Sequence, residues 1–189
     1  MNVSDIIHDI IEINDEMLSS DLADIMEHDF DAIRYIVEQT PDICLAAIRQ
    51  NAFNLKYIRE QIPEICLVAV KQDGYALQYV RNQTPEICLA AVKQNGDALK
   101  YVRNQITEIC LIAVKQDGLA LHYVENQTPE ICLAAVRQNG YALRYVINRT
   151  PEICAEAIKQ ETNSSQYVLL PIDKNERINF IKKLTLSLN

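Results

Sequence analysis

Six cysteines are the residues most able to do chemistry, and they stand at Cys44, Cys66, Cys88, Cys110, Cys132 and Cys154, each 22 residues from the last. Thiols could hold a metal, cross-link, or act in redox exchange. A zinc site needs ligands that converge on one ion, normally as close C-x₂₋₄-C pairs. One thiol per 22 residues offers no such pair. If each thiol belongs to its own layer of packed helices, neighbouring layers lie about 8–10 Å apart, beyond the roughly 7 Å Cα reach of a disulfide. Each Cys follows an Ile (Ile43, Ile65, Ile87, Ile109, Ile131, Ile153). The series therefore reads as a column of small buried hydrophobes, with no metal or other cofactor expected.

Other columns keep the same step. Tyr35, Tyr57, Tyr79, Tyr101, Tyr123, Tyr145 and Tyr167 could stack bases. They also suit the edge of a core, ring inward and hydroxyl outward, and their place beside Ala98 and Val102 favours that reading. Asp42, Glu64, Glu86, Glu108, Glu130 and Glu152 are answered seven residues later by Arg49, Lys71, Lys93, Lys115, Arg137 and Lys159. Acids at a helix start and bases at its end complement the helix dipole, so these are a solvated face and not an acid–base pair. Gln50, Gln72, Gln94, Gln116, Gln138 and Gln160 fall where one element ends, and their amides are expected to bridge adjacent turns. The histidines, His8, His28 and His122, lie near no second ligand cluster, and no phosphate loop or nucleophile elbow occurs. An enzyme is not expected.

These columns need elements that repeat with them. In residues 84–105, TPEICLAAVKQNGDALKYVRNQ, Thr84 can cap a helix and Pro85 fits its first turn. Ile87, Cys88, Ala91 and Val92 make one apolar face. Asn95-Gly96 is expected to end the helix through a left-handed glycine, and Asp97 to cap a second, shorter helix carrying Ala98, Leu99 and Val102 inward. Helices of roughly ten and eight residues are marginal alone and persist by packing on copies of themselves. The fold class is all-α: an α-solenoid of about seven 22-residue helical hairpins over residues 18–171. Residues 1–17 are expected to form an acidic capping helix, and residues 172–189 a C-terminal one with Ile178, Ile181, Leu184 and Leu188 on one face. The first unit keeps Leu22, Ile25 and Met26 but no Cys or Pro.

The segments VAVKQDGYALQYV (68–80), AAVKQNGDALKYV (90–102) and AAVRQNGYALRYV (134–146) resemble the repeat family of domain of unknown function 4116. The resemblance covers roughly residues 40–161. It implies an origin among giant viruses of amoebae or bacteria living inside amoebae, and it brings no reaction or catalytic residue.

Charge narrows the partners. Residues 1–31 hold ten acids and no Lys or Arg, leaving 16 acids against 18 bases in the rest, while the whole chain is −8. The acidic front disfavours nucleic acid. No apolar run reaches the roughly 18 residues of a membrane span, and the first residues lack the positive start of a secretory signal. An intracellular, reducing compartment is expected: cytoplasm, host cytoplasm or a virion.

Positions free to vary cluster on the second element. The first column reads Phe53, Tyr75, Asp97, Leu119, Tyr141; the second Lys56, Gln78, Lys100, His122, Arg144; the third Arg59, Arg81, Arg103, Glu125, Ile147. Large apolar residues flanked by bases suit recognition of a partner protein. The candidate partner-binding set is therefore Phe53, Tyr75, Leu119, Tyr141, Lys56, Lys100, His122, Arg144, Arg59, Arg81 and Arg103. The runner-up is a solenoid that binds nucleic acid one base per repeat. A self-assembling subunit, and so a homo-oligomer, is left open.

Overall fold

The computed structural model describes residues 31–169 and 173–188. The segment expected to cap the N-terminus and the first helix of the degenerate first unit lie outside them. Every element among the described residues is helical. The α-helices are α1 (Pro41–Gln50), α2 (Pro63–Gln72), α3 (Pro85–Gln94), α4 (Thr107–Gln116), α5 (Pro129–Gln138), α6 (Pro151–Gln160) and α7 (Lys174–Leu188). They alternate with 3₁₀ helices η1 (Ala32–Tyr35), η2 (Ala52–Tyr57), η3 (Gly74–Tyr79), η4 (Gly96–Tyr101), η5 (Gly118–Tyr123), η6 (Gly140–Tyr145) and η7 (Thr162–Tyr167).

The first element of each repeat forms as its sequence dictates. Thr84 Oγ1 accepts the Ile87 amide at 3.3 Å, and Thr128 and Thr150 do the same for Ile131 and Ile153. Where Ile62 and Ile106 replace the threonine, the helix starts without a side-chain cap. Ile87, Cys88, Ala91 and Val92 are buried, as are their equivalents in α2, α4 and, through Ala135 and Val136, α5.

The second element corrects the expectation in three ways. It is a six-residue 3₁₀ helix, not an α-helix of eight: Ala98 N–H donates to Asn95 O at 2.9 Å and Val102 N–H to Leu99 O at 3.0 Å. A 3₁₀ helix rises about 2.0 Å per residue against 1.5 Å, so the short return segment runs farther back along the ten-residue α-helix. The cap is Asn95, whose side chain accepts from the Asp97 amide, and not Asp97 itself. Finally, no described glycine has a positive φ, and Asn95 is extended at φ −149°. The glycine is needed for space. A Cβ on Gly118 would lie 2.5 Å from Ala135 O and 2.8 Å from Gln138 Oε1.

The chain divides into two compact units, Met1–Gln94 and Asn95–Asn189. In the first, α1 packs on α2 and α2 on α3, while η2 packs on η3 and η3 on α3. In the second, α4 to α7 pack in order, and η4 to η7 pack in order beside them. Each unit is thus an α layer and a 3₁₀ layer, with Leu77 or Leu121 and their equivalents fully buried between. This is the α-solenoid architecture: each hairpin buries its apolar side against the next.

Helix α7 starts on Asp173, whose Oδ1 accepts the Asn175 and Glu176 amides at 2.9 Å each. It packs on α6, where Ala155, 2% exposed, replaces the leucine of earlier repeats. Its apolar face is only partly covered: Ile178, Ile181 and Leu188 are exposed and Leu184 is half-buried. Its main packing among the described residues is on α6, which covers only part of the expected face.

Candidate functional site

The thiols come first because they looked most reactive. All six are buried and none forms a disulfide. Cys88, Cys110 and Cys132 donate to Oε1 of Gln83, Gln105 and Gln127 at 3.8, 3.6 and 3.6 Å. Burial raises the thiols of Cys44, Cys66, Cys110 and Cys132 and pushes Cys154 up to about 11. A thiol held protonated is a poor nucleophile and a poor ligand. Among the described residues no three His, Cys, Asp or Glu side chains gather in metal-binding distance.

Those glutamine partners form a ladder that sequence reading passed over. Gln127 Nε2 donates to Leu121 O in its own repeat at 3.5 Å and to Tyr145 O in the next at 2.9 Å. Its Oε1 accepts the Ile147 amide at 3.0 Å. Gln39, Gln61 and Gln105 make the same reach to Tyr57, Tyr79 and Tyr123. The signal was the Gln two residues before the start of each α-helix from α1 to α5; only the fold shows that it crosses to the next repeat. Arg149 ends the series. It donates to Leu143 O at 3.1 Å and Arg144 O at 2.9 Å, and a guanidinium cannot accept an amide. The glutamines that sequence did single out also bridge. Gln94, Gln116 and Gln138 take the amides of Gly74, Gly96 and Gly118 at 2.6–2.7 Å.

With the scaffold fixed, the variable columns fall on the 3₁₀ face. Each first-column residue has its amide held by the cap: Phe53 by Asn51, Tyr75 by Asp73, Leu119 by Asp117 and Tyr141 by Asn139, at 2.8–3.0 Å. Their side chains are half-buried. In the first unit, Phe53 meets Tyr79 edge-on at 6.0 Å, and exposed Lys56 lies over Tyr57 at 4.4 Å. Tyr57 OH donates to Asp31 Oδ2 at 3.1 Å, and Lys56 Nζ is 3.7 Å from the same oxygen. A hydrogen bond with the Tyr57 side chain, aided by the Asp31 charge, holds the Lys56 ammonium above its ordinary value. Arg59 and Arg81 are exposed, but each also donates from Nη1 at 2.6 Å to a carbonyl one repeat back, Val37 O and Arg59 O. Their variability therefore overlaps a structural task.

In the second unit, exposed Lys100 and Arg144 lie over Tyr101 and Tyr145 at 4.9 and 4.5 Å. His122 sits between Tyr123 at 5.0 Å and Tyr145 at 4.7 Å. Arg103 is exposed in the third column. The tyrosines are half-buried throughout. A cation above a ring takes the face that a stacked base would need.

A second surface escaped the sequence. Leu45, Leu67, Leu89, Leu111 and Leu133 follow the cysteines and are only half-buried. Shallow grooves of about 600 Å³ (Leu67, Glu86, Leu89, Ala90, Lys93) and about 430 Å³ (Leu111, Leu133, Ala134, Arg137) open between neighbouring α-helices. An apolar residue present in repeat after repeat yet off the packed face was the available signal.

Domain of unknown function (DUF4116) matches residues 40–84, 62–107, 84–129 and 107–149, together more than half of the chain. The chain belongs to the DUF4116 family. Each DUF4116 match spans about two of the 22-residue units and overlaps the next by one, so the repeat seen in the sequence is half of the family's own unit. No curated protein and no solved structure matches the chain. Membership in DUF4116 carries no reaction with it.

Proposed function

We propose that this DUF4116 repeat protein is a non-enzymatic scaffold that holds a partner protein on its 3₁₀ face. One observation carries the reading. The backbone of each first-column residue is fixed by the same Asn or Asp cap, while its side chain passes through Phe53, Tyr75, Asp97, Leu119 and Tyr141. A position held in one geometry but free in chemistry suits recognition, as solenoid surfaces do elsewhere. Exposed Lys56, Lys100, His122 and Arg144 beside it supply polar contacts at the rim of the contact area. Six buried cysteines, none in a disulfide, fit a reducing compartment. Among the described residues no helix is long and apolar enough to cross a membrane.

The test is affinity capture from host-cell extract with the intact chain and with Phe53, Tyr75, Leu119 and Tyr141 all changed to Ala. Loss of a specific protein from the variant, with its thermal unfolding preserved, is the expected result. Equal recovery by two folded proteins would remove this face as the binding site.

A further inference from the structure

Helix α7 shows what the leucine column of the α layer accepts. That column runs Leu45, Leu67, Leu89, Leu111, Leu133 and ends in Ala155. The leucines are half-buried, yet Ala155 is only 2% exposed, and α7 packs on the helix that carries it. On the other flank of α6, Ile158 is half-buried, although its equivalents Val70, Val92, Val114 and Val136 are fully buried. So α7 lies over the leucine-column side of α6 and does not take the place of a further repeat. Lys183, Leu186 and Ser187, near the end of α7, share a cavity of about 540 Å³ with Glu152 and Ile153 in the first turn of α6 and with Leu133 of α5. The end of α7 thus meets the start of α6: the two helices run antiparallel, and a base of α7 arrives where α6 carries its acid.

The same side of earlier repeats offers a like seat inside each unit. In the first unit, Leu67 and Leu89 line the groove of about 600 Å³ between α2 and α3. Exposed Glu86 stands in the first turn of α3, and exposed Lys71 and Lys93 in the last turns of α2 and α3. In the second unit, Leu111, Leu133, Glu130 and Lys115 repeat the pattern in the groove of about 430 Å³ between α4 and α5. Arg137 there is turned to Glu156 at 3.3 Å. Leu133 also lines the α7 cavity, so this second groove continues from the seat that α7 occupies.

We infer that these grooves take an amphipathic helix of a partner protein, laid antiparallel to the α-helices as α7 is. Apolar residues at helical spacing on one face of that helix fill the groove between the leucines. A helix is stabilised by acids in its first turn and bases in its last. Laid antiparallel, such a helix sets its acids on Lys71 and Lys93 and its bases on Glu86; laid parallel, it sets like charge on like. A rim of both signs gives nucleic acid no continuous positive track. The site belongs to the α layer and does not depend on what the 3₁₀ face binds.

The experiment uses the full chain and a fluorescein-labelled helical peptide of about four turns, followed by anisotropy. The peptide carries leucines at helical spacing, glutamates in its first turn and lysines in its last. A second peptide exchanges the two charged ends and keeps the composition. Saturable binding of the first peptide is expected, about tenfold tighter than that of the second. The variant Leu67→Ser/Leu89→Ser/Leu111→Ser/Leu133→Ser should bind about tenfold more weakly with its thermal unfolding preserved. The variant Lys71→Glu/Lys93→Glu/Lys115→Glu should prefer the end-exchanged peptide, a gain that misfolding cannot imitate and that decides the matter if the serine variant unfolds. No saturable binding, equal affinity for the two peptides, or an unchanged preference in the glutamate variant would overturn the inference. So would unchanged affinity of a folded serine variant. Self-association of the intact chain in sedimentation, lost in the serine variant, would overturn it too, by making the occupant a second copy.

Discussion

Gly118 and Leu119 are neighbours in the chain and opposites in tolerance. The first sits where a carbonyl and an amide of the next repeat leave no room for a methyl group. The second projects from an amide fixed by Asp117, into a column that takes Phe, Tyr, Asp and Leu in turn. One residue belongs to the seam that joins repeats, the other to the rim that faces solvent. The seam is defined by contacts between repeats, so one change there is felt by two layers. The rim is fixed at its backbone by a cap within one repeat, and its side chains meet a neighbouring repeat only at ring edges, as Phe53 meets Tyr79, so a change there is felt less.

The sharpest way to break that contrast is Gly118→Ala against Leu119→Ala. A Cβ 2.5 Å from Ala135 O must push the next helix away and loosen the Gln138–Gly118 bond of 2.6 Å. Overpacking with a disturbed hydrogen bond should cost about 2–3 kcal/mol. Leu119→Ala, at a half-buried site, should cost less than about 1 kcal/mol. Ala52, at the same column in an earlier repeat, shows that a seam can be built around a methyl. The interior seams are closed on a glycine and have not been. Equal melting temperatures for the two variants would erase the distinction.

A smaller effect probes what ties the seam. Gln127→Ala removes donors to Leu121 O and Tyr145 O and the acceptor for the Ile147 amide. With part of the group exposed to water, the loss should be about 1–2 kcal/mol in a urea melt. Gln138→Ala should cost less, because Gln138 is exposed and water can replace it at the Gly118 amide. If Gln138 proves the costlier loss, the tie lies at the turn and not beneath the threonines.

How much of this was readable beforehand follows the same division. The period, the buried Ile65-Cys66-Ala69-Val70 face and the threonine caps depend on residues within one helix, and they were legible. Comparing repeats separates fixed residues from free ones, and the first-column positions it picks out share one capped backbone geometry. The 3₁₀ form of η4 was not legible, because an inward Ala98 and Leu99, followed by an inward Val102, satisfy an α-helical reading as well. The role of Gly96 was misread for a related reason. A glycine after Asn suggests a left-handed turn, while its true neighbours, Ala113 and Gln116, are one repeat on. Gln105 and Gln127 were missed because their partners are 18 and 20 residues away.

The least effect at neutral pH comes from the thiols, and it sharpens the contrast by its sign. Burial lifts Cys154 from an ordinary 9.0 to about 11 in the folded protein. Below the lower value both states keep the proton, so pH does nothing to this term. Above it the unfolded chain gives up its proton while the folded one holds on. The native state then binds more protons, and stability falls as pH rises until the folded value is passed. Cys154→Ala has no such proton to lose. Urea melts at pH 8, 9.5 and 10.5 should show intact protein ahead at pH 8, through better packing, with that lead shrinking steadily towards pH 10.5. A lead that stays constant would mean the Cys154 thiol ionises alike in both states and is not shielded by the seam. The same thiol should resist a thiol reagent in native buffer at pH 8 and react at once in urea, since the seam and not the chemistry of sulfur keeps it silent.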